Sequence, residues 1–362
     1  MTTKELEKIL LEDKPSIQIK QREQELFELL PELKRCKGFN QQNEWHIYDV
    51  YEHILHVIDG VPSEISLRLA ALFHDLGKPS TFTTDEKGIG HFYGHWQESL
   101  NIFNWYIQNN ELDPELIKKV QIYIYYHDIS LDKVNDETLR KIGKENIGPL
   151  YTLKRADLLA QNPKFHYLLE DYGEQEQRAL ARIDRITHDR LNEILLEDNI
   201  RESIYKNLDY LLSIIPELKP MIGFPHNHPH HNLDVWEHTL EALSHSNKDF
   251  NIRLALLLHD IGKPHSYQDE EVRHFHGHAD VSTQMSKDIL TRLGYPKEVV
   301  DKVLYLIKYH DVAITPEEIE TGDIEVLLER LHVQECDSKA HHPAYQQKRL
   351  DYIEATKKTL KK

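Results

Sequence analysis

Leu67-Arg68-Leu69-Ala70-Ala71-Leu72-Phe73-His74-Asp75-Leu76-Gly77-Lys78-Pro79 decides the reading of the fold, because the chain carries it twice. It returns as Ile252-Arg253-Leu254-Ala255-Leu256-Leu257-Leu258-His259-Asp260-Ile261-Gly262-Lys263-Pro264. Each copy opens on a run that is apolar nearly all round, the pattern of a buried helix. A glycine follows the His-Asp pair, with lysine and proline after it, and this order marks a helix C-terminus. The His-Asp pair is therefore expected at the exposed mouth of a rigid core helix.

Working outward, other blocks repeat in the same order. Leu29-Leu30-Pro31-Glu32-Leu33-Lys34 returns as Ile214-Ile215-Pro216-Glu217-Leu218-Lys219, and Asp49-Val50-Tyr51-Glu52-His53 as Asp234-Val235-Trp236-Glu237-His238. His238 stands as far along the chain from His53 as His259 does from His74. A period this long means two copies of a domain rather than a solenoid. Asp49-x-x-Glu52 and Asp234-x-x-Glu237 have the spacing of a capping box, which would start a helix and put His53 and His238 in its first turns. A later block, Arg155-Ala156-Asp157 against Glu335-Cys336-Asp337, repeats at a slightly shorter spacing.

These patterns predict an all-α protein of two tandem helical bundles related by internal duplication. Residues 1–14 read as a short N-terminal helical extension, 15–199 as the first domain with its connecting helix, and 200–362 as the second domain. The charged, periodic tract over 170–198 predicts a long helix joining them. Between Asp75 and His91, and between Asp260 and His274, a polar segment of unequal length predicts a small hairpin or an irregular loop.

Composition narrows the function. The 362 residues suffice for two cores. Lys+Arg is 44 against Asp+Glu 61, a net charge of −17. That argues against clamping a long nucleic acid through its phosphates, and leaves room for a small nucleotide beside a bound cation. Two cysteines, Cys36 and Cys336, cannot build a thiolate cluster and suit a reducing cytoplasm. No apolar run has the length of a membrane span, and the amino end lacks a signal-peptide pattern, so a cytoplasmic protein without membrane contact is expected.

The 24 histidines are the outlier, and many fall in the repeated blocks. The polar set shared by both halves is His53, His74, Asp75, His95, His127 and Asp157 in the first. In the second it is His238, His259, Asp260, His278, His310 and Asp337. Four imidazoles and two carboxylates suit Fe, Mn, Ni, Co or Zn better than calcium, with magnesium a further candidate. Six ligands are too many for one catalytic ion with an open position, and suit two ions per domain bridged by a carboxylate. Asp75 and Asp260, each beside a histidine at a helix end, are the natural bridges. A single histidine is more often structural, but an ordered set of six found twice is poorly explained that way.

The blocks Asp-Val-x-Glu-His, His-Asp-x-Gly-Lys-Pro, Gly-His and Tyr-His-Asp resemble the HD superfamily of metal-dependent phosphohydrolases, and among these the HD domain attached to bacterial tRNA nucleotidyltransferases. The resemblance implies one metal on His53, His74, Asp75 and Asp157, with His95 and His127 completing a second site. In the other half it implies His238, His259, Asp260 and Asp337, with His278 and His310. It implies hydrolysis of a phosphoester, with a nucleotide or another small phosphorylated compound as substrate and no extensive nucleic-acid contact. Asp75 and Asp260 would serve the reaction as bridges. Lys78 and Lys263 would offer charge to a phosphate, or complement a helix dipole. His46 and His231 would contact substrate or protonate the leaving oxygen, with His91 and His274 in a similar outer role. Asp128 and Asp311 are expected to orient the ligands. His226, His228, His230, His341 and His342 read as His-rich tracts that bind metal adventitiously. No nucleotidyltransferase domain is apparent, so polymerisation is not carried over. Two other readings stay open: a metal- or nucleotide-binding sensor without turnover, and processing of an RNA end.

Overall fold

The computed structural model describes residues 1–268 and 273–361. The protein is all-α: helices make up nearly all of its regular structure, and the two named strands are the pairs Thr83–Thr84 and Gly90–His91. These strands form an antiparallel hairpin between the His-Asp pair and the next helix of the first half. In the second half Gln268 and His274 make an isolated bridge. The polar segment expected to differ there lies partly at 269–272, outside the described residues. Among the described residues, no helix is long and apolar enough to cross a membrane.

The chain divides into two compact units, Met1–Ile183 and Asp184–Lys362. This differs from the expected division at both ends of the first domain. Residues 1–14 are not an appendage: helix Thr3–Leu10 is capped by Thr2 and buries Leu6 and Leu10 completely in the first unit. The long helix is Leu168–Leu195. Its last turns carry Leu191, Ile194 and Leu195 into the core of the second unit, so the boundary falls inside the helix.

Each unit is built round the helix read first from the sequence. Ile65–Phe73 and Phe250–Leu258 are buried along almost their whole length. Even Arg68 and Arg253 lie inside them, because backbone carbonyls receive the guanidinium groups: Pro62 and Ile58 for Arg68, and Leu195, Glu197 and Asn247 for Arg253. Helices Val50–Gly60 and Pro114–Tyr126 pack on the first of these, and Lys144–Leu159 packs on Val50–Gly60. In the second unit Val235–Ser244, Lys297–Lys308 and Ile324–Ala340 pack round Phe250–Leu258. The aromatic tract over 122–126 is part of this packing in the first unit, with Tyr123 and Ile124 buried.

Asp49 and Asp234 cap their helices, each accepting from the backbone N–H three residues on, at Glu52 and Glu237. The reciprocal half of a capping box is replaced. The Glu52 carboxylate accepts from Lys20, and that of Glu237 from Arg201 and Tyr205.

Gly77 and Gly262 do not end their helices in the left-handed conformation that the sequence pattern suggests. Their φ angles are −76° and −80°. They are glycines because another helix comes too close for a side chain. A Cβ on Gly77 would stand 2.4 Å from the His95 carbonyl oxygen, and one on Gly262 would stand 2.6 Å from the Ser282 nitrogen. In both units the glycine N–H donates to a serine of that helix, Ser99 or Ser282, at 2.9 Å. The positive φ belongs instead to Gly94 (79°) and Gly277 (73°), which turn the chain into helices beginning at His95 and His278.

Candidate metal centres

Five structural positions deliver the side chains of each cluster. His53 lies on helix Val50–Gly60, and His74 and Asp75 follow helix Ile65–Phe73. His95 starts helix His95–Gln108, His127 caps Pro114–Tyr126, and Asp157 lies on Lys144–Leu159. The second unit uses corresponding helices for His238, His259, Asp260, His278, His310 and Asp337. The His-Asp pairs are not at an exposed mouth. His74 and His259 are fully buried, and Asp75 and Asp260 are 1% and 0% exposed. The close approach at Gly77 and Gly262 closes the helix end over them.

The backbone sets the histidine tautomers. His74, His95 and His127 each place Nδ1 against the carbonyl oxygen three residues earlier, at Ala71, Phe92 and Ile124 (2.8, 2.9 and 2.7 Å). His259, His278 and His310 do the same with Leu256, Phe275 and Ile307. His53 and His238 meet Ala160 and Ala340 at the end of the aspartate-bearing helix. A carbonyl oxygen only accepts, so Nδ1 carries the hydrogen, and every Nε2 turns its remaining valence inward.

The inward atoms converge on one carboxylate. Asp75 Oδ2 is 3.2 Å from His53 Nε2 and 3.3 Å from His74 Nε2, while Oδ1 is 3.4 Å from His95 Nε2 and 3.9 Å from His127 Nε2. Asp157 Oδ1 adds a second oxygen 3.0 Å from His53 Nε2. Around Asp260, Oδ2 faces His238 and His259 at 3.5 and 3.3 Å, and Oδ1 faces His278 and His310 at 3.5 and 3.9 Å. Asp337 Oδ1 is 3.0 Å from His238 Nε2. Each bridging carboxylate thus turns one oxygen to each of two histidine pairs. His53, His74 and Asp157 can close on one ion, and Asp75, His95 and His127 on another. His238, His259 and Asp260, and Asp260, His278 and His310, form the matching groups.

The donor set fits divalent cations, and does so poorly without them. His95 Nε2 and His127 Nε2 face each other at 3.1 Å, and His278 and His310 at 3.2 Å. With Nδ1 protonated, these are opposed lone pairs that need a proton or a cation between them. His74 Nε2 and His259 Nε2 are buried 3.3 Å from Asp75 Oδ2 and Asp260 Oδ2, contacts between lone pairs that likewise need a proton or a cation between them.

Electrostatics sort the histidines into two kinds. Burial opposes charge on His53, but Asp157 and Asp75 outweigh it and raise its pKa to about 9. In the second unit burial is outweighed at His259 by Asp260 and Asp337, raising it to about 10. Burial and neighbouring imidazoles hold His127 down at about 3 and His310 at about 4. Asp75 and Asp260 lie well below the usual carboxylate range, since His74 with Lys78, and His259 with Lys263, overcome their burial. At neutral pH each metal-free cluster therefore holds a proton on a ligand nitrogen. That proton stabilises the metal-free fold fully below the ordinary histidine value of 6.5, and its contribution disappears as pH rises through about 9 in the first unit. A cation needs the same lone pair, so metal binding is expected to expel about one proton per unit near pH 7 and to tighten as pH rises. Titration calorimetry in two buffers of different ionisation enthalpy measures this. Binding without proton release would contradict it.

Several outer residues sit otherwise than expected. Lys78 and Lys263 are buried, and their ammonium groups lie 2.6 and 2.7 Å from Asp75 Oδ2 and Asp260 Oδ2. They neutralise the bridging carboxylates, and both also line the cavities beside the clusters. They open short helices, Lys78–Thr81 and Lys263–Ser266, so they do not complement a helix C-terminus. His46 and His231 line the cavities beside the clusters. Burial and then Lys78 lower His46 to about 2, and burial with Lys263 holds His231 even lower. Both imidazoles are neutral, which suits hydrogen bonding to substrate and not protonation of a leaving oxygen. His91 and His274 lie at the rims of the same cavities. Asp128 and Asp311 also line them, and burial followed by the Asp157 charge raises Asp128.

Two members of the second centre were hidden in the His-rich tracts. His226 is 1% exposed, and its Nε2 lies 3.1 Å from Lys263 Nζ, where Gln41 Oε1 receives Lys78 at 2.9 Å in the first unit. His226 follows Gln41 at the same spacing that separates His238 from His53. His341 follows Gln161, whose amide donates to Asp157, at the spacing that separates Asp337 from Asp157. Its ring packs 4.5 Å from His231 and 5.3 Å from His238. A glutamine replaced by histidine at the repeat spacing was the available signal.

Residues 230–354, which carry most of the second centre, match the HD domain family. Part of the chain is 39% identical over 104 residues to a CC-adding tRNA nucleotidyltransferase of Thermus thermophilus, covering 26% of this chain and 24% of that protein. It is 37% identical over 114 residues to an A-adding tRNA nucleotidyltransferase of Deinococcus radiodurans, covering 29% and 26%. It is 30% identical over 125 residues to a multifunctional CCA protein of Nitrosococcus oceani, covering 33% and 30%. The chain thus spans only 24–30% of the length of these relatives. Two of these names are of enzymes that act on tRNA. They overturn the expectation of a hydrolase for small phosphoesters with no extensive nucleic-acid contact. The net charge of −17 misled because it averages the whole surface, whereas contact with an RNA end depends on the field at one site.

Proposed function

We propose that this protein, with an HD domain over residues 230–354 as the premise, processes RNA 3′ ends by hydrolysing a terminal phosphoester in its His/Asp centres. The observation that carries the reading is Asp260, inside that domain, turning one oxygen to His238 and His259 and the other to His278 and His310. The relatives named for tRNA supply the substrate class. Nucleotide addition is not part of the proposal, because the match covers only a minor part of those enzymes. The first unit is taken as a second copy of the same centre, and a cytoplasmic setting follows from an RNA substrate.

His238, His259, Asp260 and Asp337 would hold one divalent ion, with Asp260, His278 and His310 holding the other. Their counterparts in the first unit are His53, His74, Asp75 and Asp157, and Asp75, His95 and His127. Ions bound there supply Lewis acidity for a phosphoryl oxygen and lower the pKa of a nucleophilic water. The chain's own part is orientation. Backbone carbonyls lock the imidazoles, Lys263 holds Asp260, and neutral His231, stacked on His226, offers a hydrogen bond at the cavity wall. Burial of the carboxylate and imidazoles keeps bulk water from competing at these atoms.

A substrate panel with added Mn tests the reading. Turnover of a tRNA bearing a terminal phosphate is expected to exceed that of free mononucleotides by about tenfold or more in kcat/KM, since contacts beyond the reacting group supply binding energy. Equal or better use of free mononucleotides would overturn it.

A further inference from the structure

A second cavity adjoins the metal centre of the second unit, and the chemistry described above does not use it. It measures about 470 Å³ and is lined by Tyr345, Lys348, Arg349 and Tyr352 of helix Pro343–Leu360, with His230 and Gln334 among the opposing residues. Asp311, His341 and Arg349 also line the neighbouring 330 Å³ cavity, which contains His231, Lys263, His278 and His310. The two spaces therefore share a wall beside the ligands. A volume of this size is that of a small-ligand pocket.

Its lining differs in kind from that of the first unit. The cavity there, about 450 Å³, is lined by Trp45, Tyr93, Trp96 and Leu168 among others. At the spacing that relates Asp157 to Asp337, Lys348 corresponds to Leu168 and Arg349 to Leu169, so two leucines of the first unit become two cations in the second. The fold does not require charge there. Arg349 is held in the wall: it donates to the His310 carbonyl oxygen at 2.7 Å and lies 4.0 Å from Asp337. Lys348 is exposed and makes no ion pair or hydrogen bond among the described residues. Tyr352 is tied through its hydroxyl to the backbone of Ile314, which leaves its ring as wall. Tyr345 is 48% exposed and leans on His230, ring centres 4.3 Å apart. Two adjacent cations in a chain of net charge −17 make a local site for an anion. Half-open aromatic rings beside them suit a nucleobase, as in recognition of single-stranded RNA.

We infer that this annex is a subsite for the nucleotide next to the reacting end of an RNA strand, with its phosphate on Lys348 and Arg349 and its base against Tyr345. The inference rests on the RNA-end reading and adds to it a reason why the second centre would prefer a strand to a mononucleotide. A mononucleotide fills the metal-side cavity and leaves the annex empty. Asp311, on the shared wall, is placed to accept from a ribose hydroxyl.

Binding of a short, 5′-fluorescein-labelled single-stranded RNA to the full chain, followed by anisotropy with and without Mn, tests it. Lys348→Glu and Tyr345→Ala are each expected to weaken binding by about tenfold, and Lys348→Glu to flatten the salt dependence. Lys118→Glu, the same charge reversal on an exposed residue of the first unit, controls for net charge. Thermal unfolding of each variant shows that it is folded. If both annex variants bind as the parent does while RNA ends are still turned over, the annex is wrong and the RNA-end reading stands. If the parent neither binds nor turns over RNA, both fall.

Discussion

In the Asp75→Asn/Asp260→Asn double variant, RNA-end turnover is expected to fall by about a thousandfold or more, equivalent to about 4 kcal/mol of lost barrier reduction. The size follows from the two-sided geometry. Each of these carboxylates presents one oxygen to one histidine pair and the other oxygen to the second pair. An amide keeps one oxygen and turns an N–H donor, without negative charge, toward the other pair, so no orientation of asparagine serves both. The substitution also leaves Lys78 and Lys263 buried without their carboxylate. Breaking a buried pair on one side costs about 3–5 kcal/mol, so activity should be read well below the unfolding midpoint. Single variants divide the effect between the units. Turnover equal to the parent in the double variant would remove both centres from the chemistry.

Gly77→Ala and Gly262→Ala are expected to destabilise their units by about 1–3 kcal/mol, the range for overpacking a close-fitted core, and to weaken metal binding as well. Both effects have one cause. The added Cβ at residue 77 would lie 2.4 Å from the His95 carbonyl oxygen and 2.8 Å from the Ser99 nitrogen. At residue 262 it would lie 2.6 Å from the Ser282 nitrogen and 2.7 Å from the His278 carbonyl oxygen. The helix must retreat, and the ligand at its first position retreats with it. Gly94→Ala makes the contrast. Its Cβ meets nothing within 4 Å, and its cost is the left-handed backbone alone, about 1–2 kcal/mol. Melting of the metal-free variants and calorimetric metal affinity separate the cases: Gly77→Ala should lose both stability and affinity. Unchanged metal affinity in Gly77→Ala and Gly262→Ala would show that helix approach does not set ligand position.

The same glycines mark where the sequence could be read and where it could not. Apolar periodicity is a local property, and it gave the buried helices Ile65–Phe73 and Phe250–Leu258 directly. Repetition named Asp75 and Asp260 and the ten polar positions gathered round them, because a repeat exposes pairing without knowledge of distance. Long-range approach leaves no such local trace. Gly77 after a helix looks like a C-terminal signal, whereas its reason is the separate helix that begins at His95. For the same cause His226 and His341 passed as parts of His-rich tracts: one receives Lys263 and the other packs on His231, and neither partner is near in sequence. The burial of the lysines could not be read from residue type: a long, flexible side chain carries each ammonium inward to Asp75 or Asp260. Net charge failed for the opposite reason, being a sum that carries no position.

On the function proposed here, the imidazoles and carboxylates of each unit would hold a pair of divalent ions, with one aspartate facing both. Elemental analysis of the full chain, loaded with Mn and then desalted, addresses this most directly, with the Asp75→Asn/Asp260→Asn variant alongside. About four ions per chain are expected in the parent, with most of them lost in the variant. A parent that retains no metal, or a variant that retains as much as the parent, would contradict it.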